Sequence, residues 1–344
     1  MIRVLVVDDS FFMRKVISDM LNSDPSVEVI DTAKEGNEAI RKVKKEKPDV
    51  VTLDVLMPGL DGLATLKRIM DENPTPVIML SAFTKKGADI TIDCLHAGAV
   101  SFILKPSGEL SMNIDTVKEM LLEEIKTSAH ANVKKIITFP EIKPIKHCIK
   151  PSKEKIVVIG ASTGGPRSLE LLMSTIPASF SLPIIIVQHM PPKFTQSLAQ
   201  HLDKNCVLSV KEAKEGDVIQ AKNAYVAPGD FHMTIKTKKI MGQTKQIISL
   251  NKNPSVNGSR PSIDVTMQSV ANTYGENTIG VILTGMGKDG VIGMKAIKEH
   301  GGTTIAQDED SCLIFGMPKA VIESGFADKV LSLSNIGEGI VGCL

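Results

Sequence analysis

The 344-residue chain contains no tryptophan and only two tyrosines, and aromatic residues make up 3% of it. So sparse a set argues against the stacking platforms on which proteins bind single-stranded nucleic acid. An excess of one charge is also lacking, because 40 lysines and arginines balance 39 aspartates and glutamates to a formal net charge of +1. Nothing in the overall balance advertises a nucleic-acid or membrane-surface partner, so partners must be read from local features. The five cysteines, Cys94, Cys148, Cys206, Cys312 and Cys343, are odd in number and never form a CxxC pair. That pattern disfavours a disulfide framework and a zinc site, and it suits a reducing cytoplasm. No apolar run approaches the ~20 residues of a membrane span. The opening "MIRVLVVDDS" reaches acidic residues too early for a secretory signal. The expectation is a cytoplasmic protein without direct membrane insertion.

Apolar residues are plentiful, at 42% of a chain longer than one ordinary core requires, which predicts two domains with separate cores. The sixteen methionines read as packing. Up to about Leu122, the runs "IRVLVV", "VEVIDTA", "DVVTLDV", "PVIMLSA" and "SFILKP" alternate with helical patterns. They are almost wholly apolar, as strands are when helices cover both faces of a parallel sheet. Apolar residues at 114, 117, 120, 121 and 125 fit a last helix. The following stretch is rich in lysine and proline and reads as a linker, in which Ile136, Ile137 and Phe139 are candidates to dock on a neighbour. The boundaries expected are 1–122 for the first domain, 123–152 for the linker and 153–344 for the second. In that second domain "KIVVIG", "LPIIIVQHM", "VILTG" and "TTIAQ" resume the βα pattern, and the span from Gly216 to Lys252 suggests inserted antiparallel hairpins. The fold class is therefore α/β, with two doubly wound sheets.

In the first domain Asp8 and Asp9 follow the first strand, Asp54 ends the third, Ser81 the fourth and Lys105-Pro106 the fifth. Carboxyl ends of parallel strands are where ligands bind, so these residues form one polar site. Three clustered carboxylates need a counter-ion, and magnesium suits oxygen-only ligands. Asp54, central in strand order, is the expected phosphoryl acceptor. Read plainly, "DDS" caps a helix and Lys105 ends a strand. Together with "MPGLDG" after Asp54, the set resembles the receiver domain of two-component response regulators. The resemblance implies a histidine kinase as phosphodonor, Mg2+ on Asp8, Asp9 and Asp54, and Ser81 and Phe102 as residues that shift on activation. Leu56, two residues after Asp54, stands where relatives often carry a polar side chain.

In "VVIGASTGGPRSLELL" a glycine-flanked Ser162 sits between a strand and a helix. GxSxG at such a turn fits a nucleophile elbow; the same amides could hold a phosphate, but neither GxGxxG nor GK[ST] is present. A serine nucleophile needs a base and a group to orient it. Of seven histidines, His201 lies on an amphipathic helix, His96 and His300 near helix ends, and His130 and His147 in the linker. His189 ends "IIIVQ" at the same sheet edge as Ser162, with His232 second choice. Asp289 in "LTGMGKDGVIGM" is the candidate third group, its plain role being a helix cap. Amides around Met286 and Thr163 could stabilise an oxyanion. The order Ser, His, Asp is not that of α/β-hydrolases.

"GASTGG", "QHMP", "APGDFHM", "SRPSID", "LTGMGKDG" and "FGMPKA", in this order behind a receiver pattern, closely resemble the chemotaxis protein-glutamate methylesterase family across nearly the full chain. The resemblance implies Ser162 as nucleophile, His189 as base, Asp289 as its orienting carboxylate and Thr163 and Met286 at the oxyanion site, with no cofactor in the second domain. It implies methyl-accepting chemoreceptors as substrates, demethylated at glutamate γ-methyl esters and deamidated at glutamines. The alternatives are a non-enzymatic response regulator whose output domain binds a partner and, last, a DNA-binding output domain, for which no basic recognition helix is visible.

Overall fold

The computed structural model describes residues 1–105, 114–131, 133, 145 and 155–344. Pro106, the docking candidates Ile136, Ile137 and Phe139, and linker residues His147 and Cys148 lie outside the described residues. The chain divides into two compact units, Met1–Phe139 and Pro140–Leu344. No helix among the described residues is long and apolar enough to cross a membrane.

The first unit is built on β1 (Ile2–Val7), β2 (Val27–Ala33), β3 (Val50–Asp54), β4 (Val77–Ser81) and β5 (Ser101–Leu104). They pair in parallel in the order β2-β1-β3-β4-β5, within a residue or two of the runs read from sequence. Helices α1 (Phe11–Asn22), α2 (Gly36–Glu46), α3 (Gly62–Glu72), α4 (Lys85–His96) and α5 (Ile114–Ser128) connect and cover them. Local capping sets where several begin: Ser10, Asp61 and Thr84 accept from the amides of Met13, Ala64 and Gly87. Val4, Val6, Ile78 and Ile103 of the sheet pack against Ile17 and Leu21 of α1 and Leu121 and Ile125 of α5. Burial of Ile125 carries the folded unit past the expected boundary at residue 122, because the apolar stripe of α5 runs one turn further.

The second unit holds β6 (Ile156–Ala161), α6 (Gly165–Thr175), β7 (Ile184–Gln188), α7 (Phe194–Asn205), β8 (Ser209–Glu212), β9 (Asn223–Val226), β10 (His232–Ile240), β11 (Gln243–Asn251) and α8 (Ile263–Tyr274). It continues with β12 (Thr278–Ile282), α9 (Val291–Glu299), β13 (Thr303–Gln307), α10 (Met317–Glu323), β14 (Lys329–Leu331) and α11 (Leu333–Val341). Seven strands form one parallel sheet in the order β14-β13-β12-β6-β7-β9-β8. From β6 the chain goes to β7 on one side and returns to β12 on the other. That reversal leaves a crevice above the carboxyl ends of β6, β7 and β12, where ligands bind in open α/β sheets.

Two readings of this unit need correction. The stretch expected to form several hairpins forms one, β10–β11, as a separate two-stranded sheet; Asn223–Val226 instead joins the main sheet, pairing in parallel with β7 and β8. Its Ala224, Tyr225 and Val226 are buried against that sheet, and this burial outweighs the alternating pattern. The strand expected at Val281–Gly285 lies at Thr278–Ile282, because Thr284 already leaves the ladder to give its amide to Gln307 Oε1 at 2.8 Å.

The hairpin packs Met233, Ile235 and Ile248 against Met267 and Val270 of α8. It turns through Met241-Gly242, both at positive φ (49° and 77°), with Met241 fully exposed. Asparagine tolerates this left-handed position better than methionine, and Asn-Gly is the favoured pair for such a turn. Met241→Asn should stabilise the protein by about 0.5–1 kcal/mol in denaturant melts, with activity unchanged.

Candidate active site

Ser162 stands just past β6. Its backbone amide donates to Thr284 O at 3.1 Å, and the Thr284 hydroxyl donates to Thr163 O at 3.1 Å, so the segment after β12 pins the turn. The left-handed residue of the turn is Gly164 (φ 77°), and the serine itself carries no such strain, unlike the elbow expected from GxSxG. Gly160 is needed for contact instead: a Cβ there would lie 2.5 Å from Ile263 Cγ2, so the glycine lets α8 approach β6.

His189 follows β7, and its Nδ1 lies 3.1 Å from Ser162 Oγ. Its Nε2 lies 2.8 Å from Asp289 Oδ2. A carboxylate can only accept, so Nε2 carries the proton and Nδ1 presents a lone pair to the serine hydroxyl. Gln188, buried at the end of β7, donates from Nε2 to Ser162 O (2.9 Å) and His189 O (3.3 Å), tying the two strand ends together. The three residues picked from sequence thus meet at one edge.

Asp289 is 3% exposed. Burial alone would raise its pKa, but the His189 bond and the amides of Ile263 and Asp264 outweigh it and hold the carboxyl down at about 2. Its Oδ2 accepts from Ile263 N (2.8 Å), and Oδ1 accepts from Asp264 N (3.0 Å), Gly290 N (3.1 Å) and Ser262 Oγ (3.0 Å). The cap role weighed from sequence therefore falls chiefly on α8, the neighbouring helix. Sequence reading missed Ser262, Asp264 and Asn257, which surround this carboxylate; the motif "SRPSID" was the available signal. His232, the second choice, is buried and lies outside the relay: Ser262 N donates to its Nδ1 (3.3 Å), and its Nε2 is 3.0 Å from Pro254 O.

The Thr163 amide donates to no group among the described residues. The loop carrying Met286 comes against the serine, since a Cβ on Gly285 would stand 2.7 Å from Ser162 Cβ.

In the first unit Asp8 and Asp54 are buried and Asp9 exposed, and each offers an oxygen within 4.8 Å of the others. Lys105 Nζ lies 2.6 Å from Asp8 Oδ2 and 2.7 Å from Asp54 Oδ2. Burial raises the Asp54 pKa and Lys105 partly offsets this; burial lowers that of Lys105, but the two carboxylates outweigh it and keep the amine charged. One lysine cannot neutralise three carboxylates. This all-oxygen set fits a hard divalent ion. Ser81 is buried with its hydroxyl 2.8 Å from that of Thr91 on α4, and Phe102 on β5 is half-buried.

Residues 157–340 match the family model for CheB methylesterase, and residues 4–114 match that for the response regulator receiver domain. The chain belongs to the CheB methylesterase family. It is 46% identical over 340 residues to the protein-glutamate methylesterase/protein-glutamine glutaminase of Thermotoga maritima, covering 99% of this chain and 98% of that protein. The similarly named Pyrococcus horikoshii protein is 47% identical over 349 residues, covering 99% and 93%. Among solved structures, the catalytic domain of Thermotoga maritima CheB methylesterase matches with a TM-score of 0.54 and 48% identity, covering 56% of this chain and all of that one. The two-domain α/β architecture read from sequence is that of a receiver joined to a CheB catalytic domain.

Proposed function

We propose that this CheB-family enzyme hydrolyses γ-glutamyl methyl esters on chemoreceptors, and deamidates glutamines there, through Ser162, His189 and Asp289. The observation that carries the reading is the continuous relay from Ser162 Oγ to His189 Nδ1 (3.1 Å) and from His189 Nε2 to Asp289 (2.8 Å). Ser162 Oγ attacks the ester carbonyl while His189 Nδ1 takes its proton. The Thr163 and Met286 amides receive the oxyanion. Nδ1 then returns the proton to the departing methoxide, and methanol leaves an acyl-enzyme. Water, deprotonated by the same nitrogen, attacks that acyl group and releases the glutamate side chain and Ser162. With a glutamine side chain the leaving group is ammonia. Asp289 stays ionised throughout and stabilises the imidazolium.

Control enters through the receiver. Asp54 accepts a phosphoryl group from a chemotaxis histidine kinase; Mg2+ held by Asp8, Asp9 and Asp54 would neutralise charge during that transfer. Lys105 is placed to hold a phosphoryl oxygen, and Ser81, released from Thr91, to bond another. The test is methanol release from methyl-esterified chemoreceptor by the full chain. We expect release, accelerated by a small-molecule phosphodonor with Mg2+. Asp54→Asn should keep the basal rate and lose the acceleration, and a chain that releases no methanol at all overturns the reading.

A further inference from the structure

Among the described residues of the second unit, two aspartates are buried, Asp289 and Asp264, and neither forms an ion pair with a lysine or arginine. Burying a second carboxylate beside the first is costly unless amides hold it. Amides do hold it, in a crossed arrangement. Asp264, the second residue of α8, accepts at Oδ1 from Gly290 N (2.9 Å) and Gly293 N (2.8 Å), the N-terminal turn of α9. Asp289, just before α9, accepts from the first two amides of α8, Ile263 N and Asp264 N. Each carboxylate thus serves the other's helix, at the positive end of its dipole. The Asn257 amide spans the pair, 3.3 Å from Asp264 Oδ2 and 3.5 Å from Asp289 Oδ1. Asp289 cannot turn away from His189 without giving up these amides, and α9 cannot shift without breaking the Asp264 bonds.

We propose that Asp264 is a positioning residue for the Ser162 chemistry: it clamps Asp289 from the facing helix and adds a second negative charge behind the imidazolium that His189 becomes. This rests on the hydrolytic reading above. Charge placed in advance where a cation develops, in a largely buried site, lowers the barrier with no reorganisation during reaction. Burial and the nearby Asp289 push the Asp264 carboxyl up to about 6, while the Gly293 and Gly290 amides pull the other way and hold its charged form. The other titratable groups at this edge are His189, His232 and Lys288. His232 is held by Ser262 N at Nδ1 and by Pro254 O at Nε2, and Lys288 is exposed.

The test compares the full chain with Asp264→Asn, which keeps a carbonyl oxygen for Gly290 and Gly293 and removes the charge. Expected is a fall in kcat of about tenfold, with KM within about twofold of the parent. The acid limb of the kcat profile should move to lower pH by about half a unit, because the imidazolium is less stabilised. Asp264→Ser, small enough for the buried site and able to admit water to the freed amides, carries the same expectations if the asparagine variant fails to fold. A folded variant with the parental kcat and an unmoved acid limb reduces Asp264 to a helix cap and overturns the proposal, as does a rise in KM with kcat intact. An inactive parent chain would instead overturn the hydrolytic reading itself, so the two failures are told apart.

Discussion

Ser162→Ala is expected to abolish methanol release, lowering kcat by about 10⁴-fold or more, toward the residue of catalysis left when a triad loses its nucleophile. The fold should survive. The bonds that place residue 162 run through its backbone, from its amide to Thr284 O and from Gln188 Nε2 to its carbonyl, and alanine keeps both. Stability should therefore stay within about 0.5 kcal/mol. The parallel check is labelling by a serine-directed phosphonate, which should mark one site in the parent and none in the variant. Retained hydrolysis in a chain that no longer takes the label would move the nucleophile elsewhere.

Asp289→Asn should cost about 10⁴-fold in kcat, with a smaller loss of stability of about 1–2 kcal/mol. Both carboxylate oxygens accept N–H donors: Ile263 at Oδ2, and Asp264 and Gly290 at Oδ1. An asparagine NH2 group meets a donor in either orientation. In the orientation that faces His189 it donates to Nε2, drives the ring proton to Nδ1 and so leaves no lone pair for the serine hydroxyl. Steady-state kinetics beside thermal melts check both halves; a variant with normal kcat would show that Asp289 does not set the tautomer.

Much of this was legible because parallel strands covered on both faces are written as largely apolar runs. "IRVLVV", "VEVIDTA" and "TTIAQ" are the observed strands to the residue. His189 could be picked from seven histidines because it follows such a run. Short strands were less legible: β8, β9 and β14 have three or four residues each, too few for a period to show. Gly280 interrupts the β-branched pattern of β12 for a tertiary reason, since a Cβ there would stand 2.6 Å from Ile297 Cδ1. Asp264 was hidden differently. An aspartate in the first turn of a helix reads as a local capping acid, and nothing in its neighbourhood announces that its partners are Gly290 and Gly293. Which imidazole nitrogen meets the serine is likewise invisible in a string of letters.

That last detail shapes how the active edge tolerates change. Nδ1 is bonded to the ring carbon that carries Cβ, whereas Nε2 lies across the ring. A proton acceptor on so short an arm moves almost one-for-one with the main chain beneath it, and side-chain torsion can correct little of any error. The accuracy of proton transfer is then inherited from β7, whose five residues are all buried between helices. Loosening that strand should detune the chemistry before it unfolds the domain.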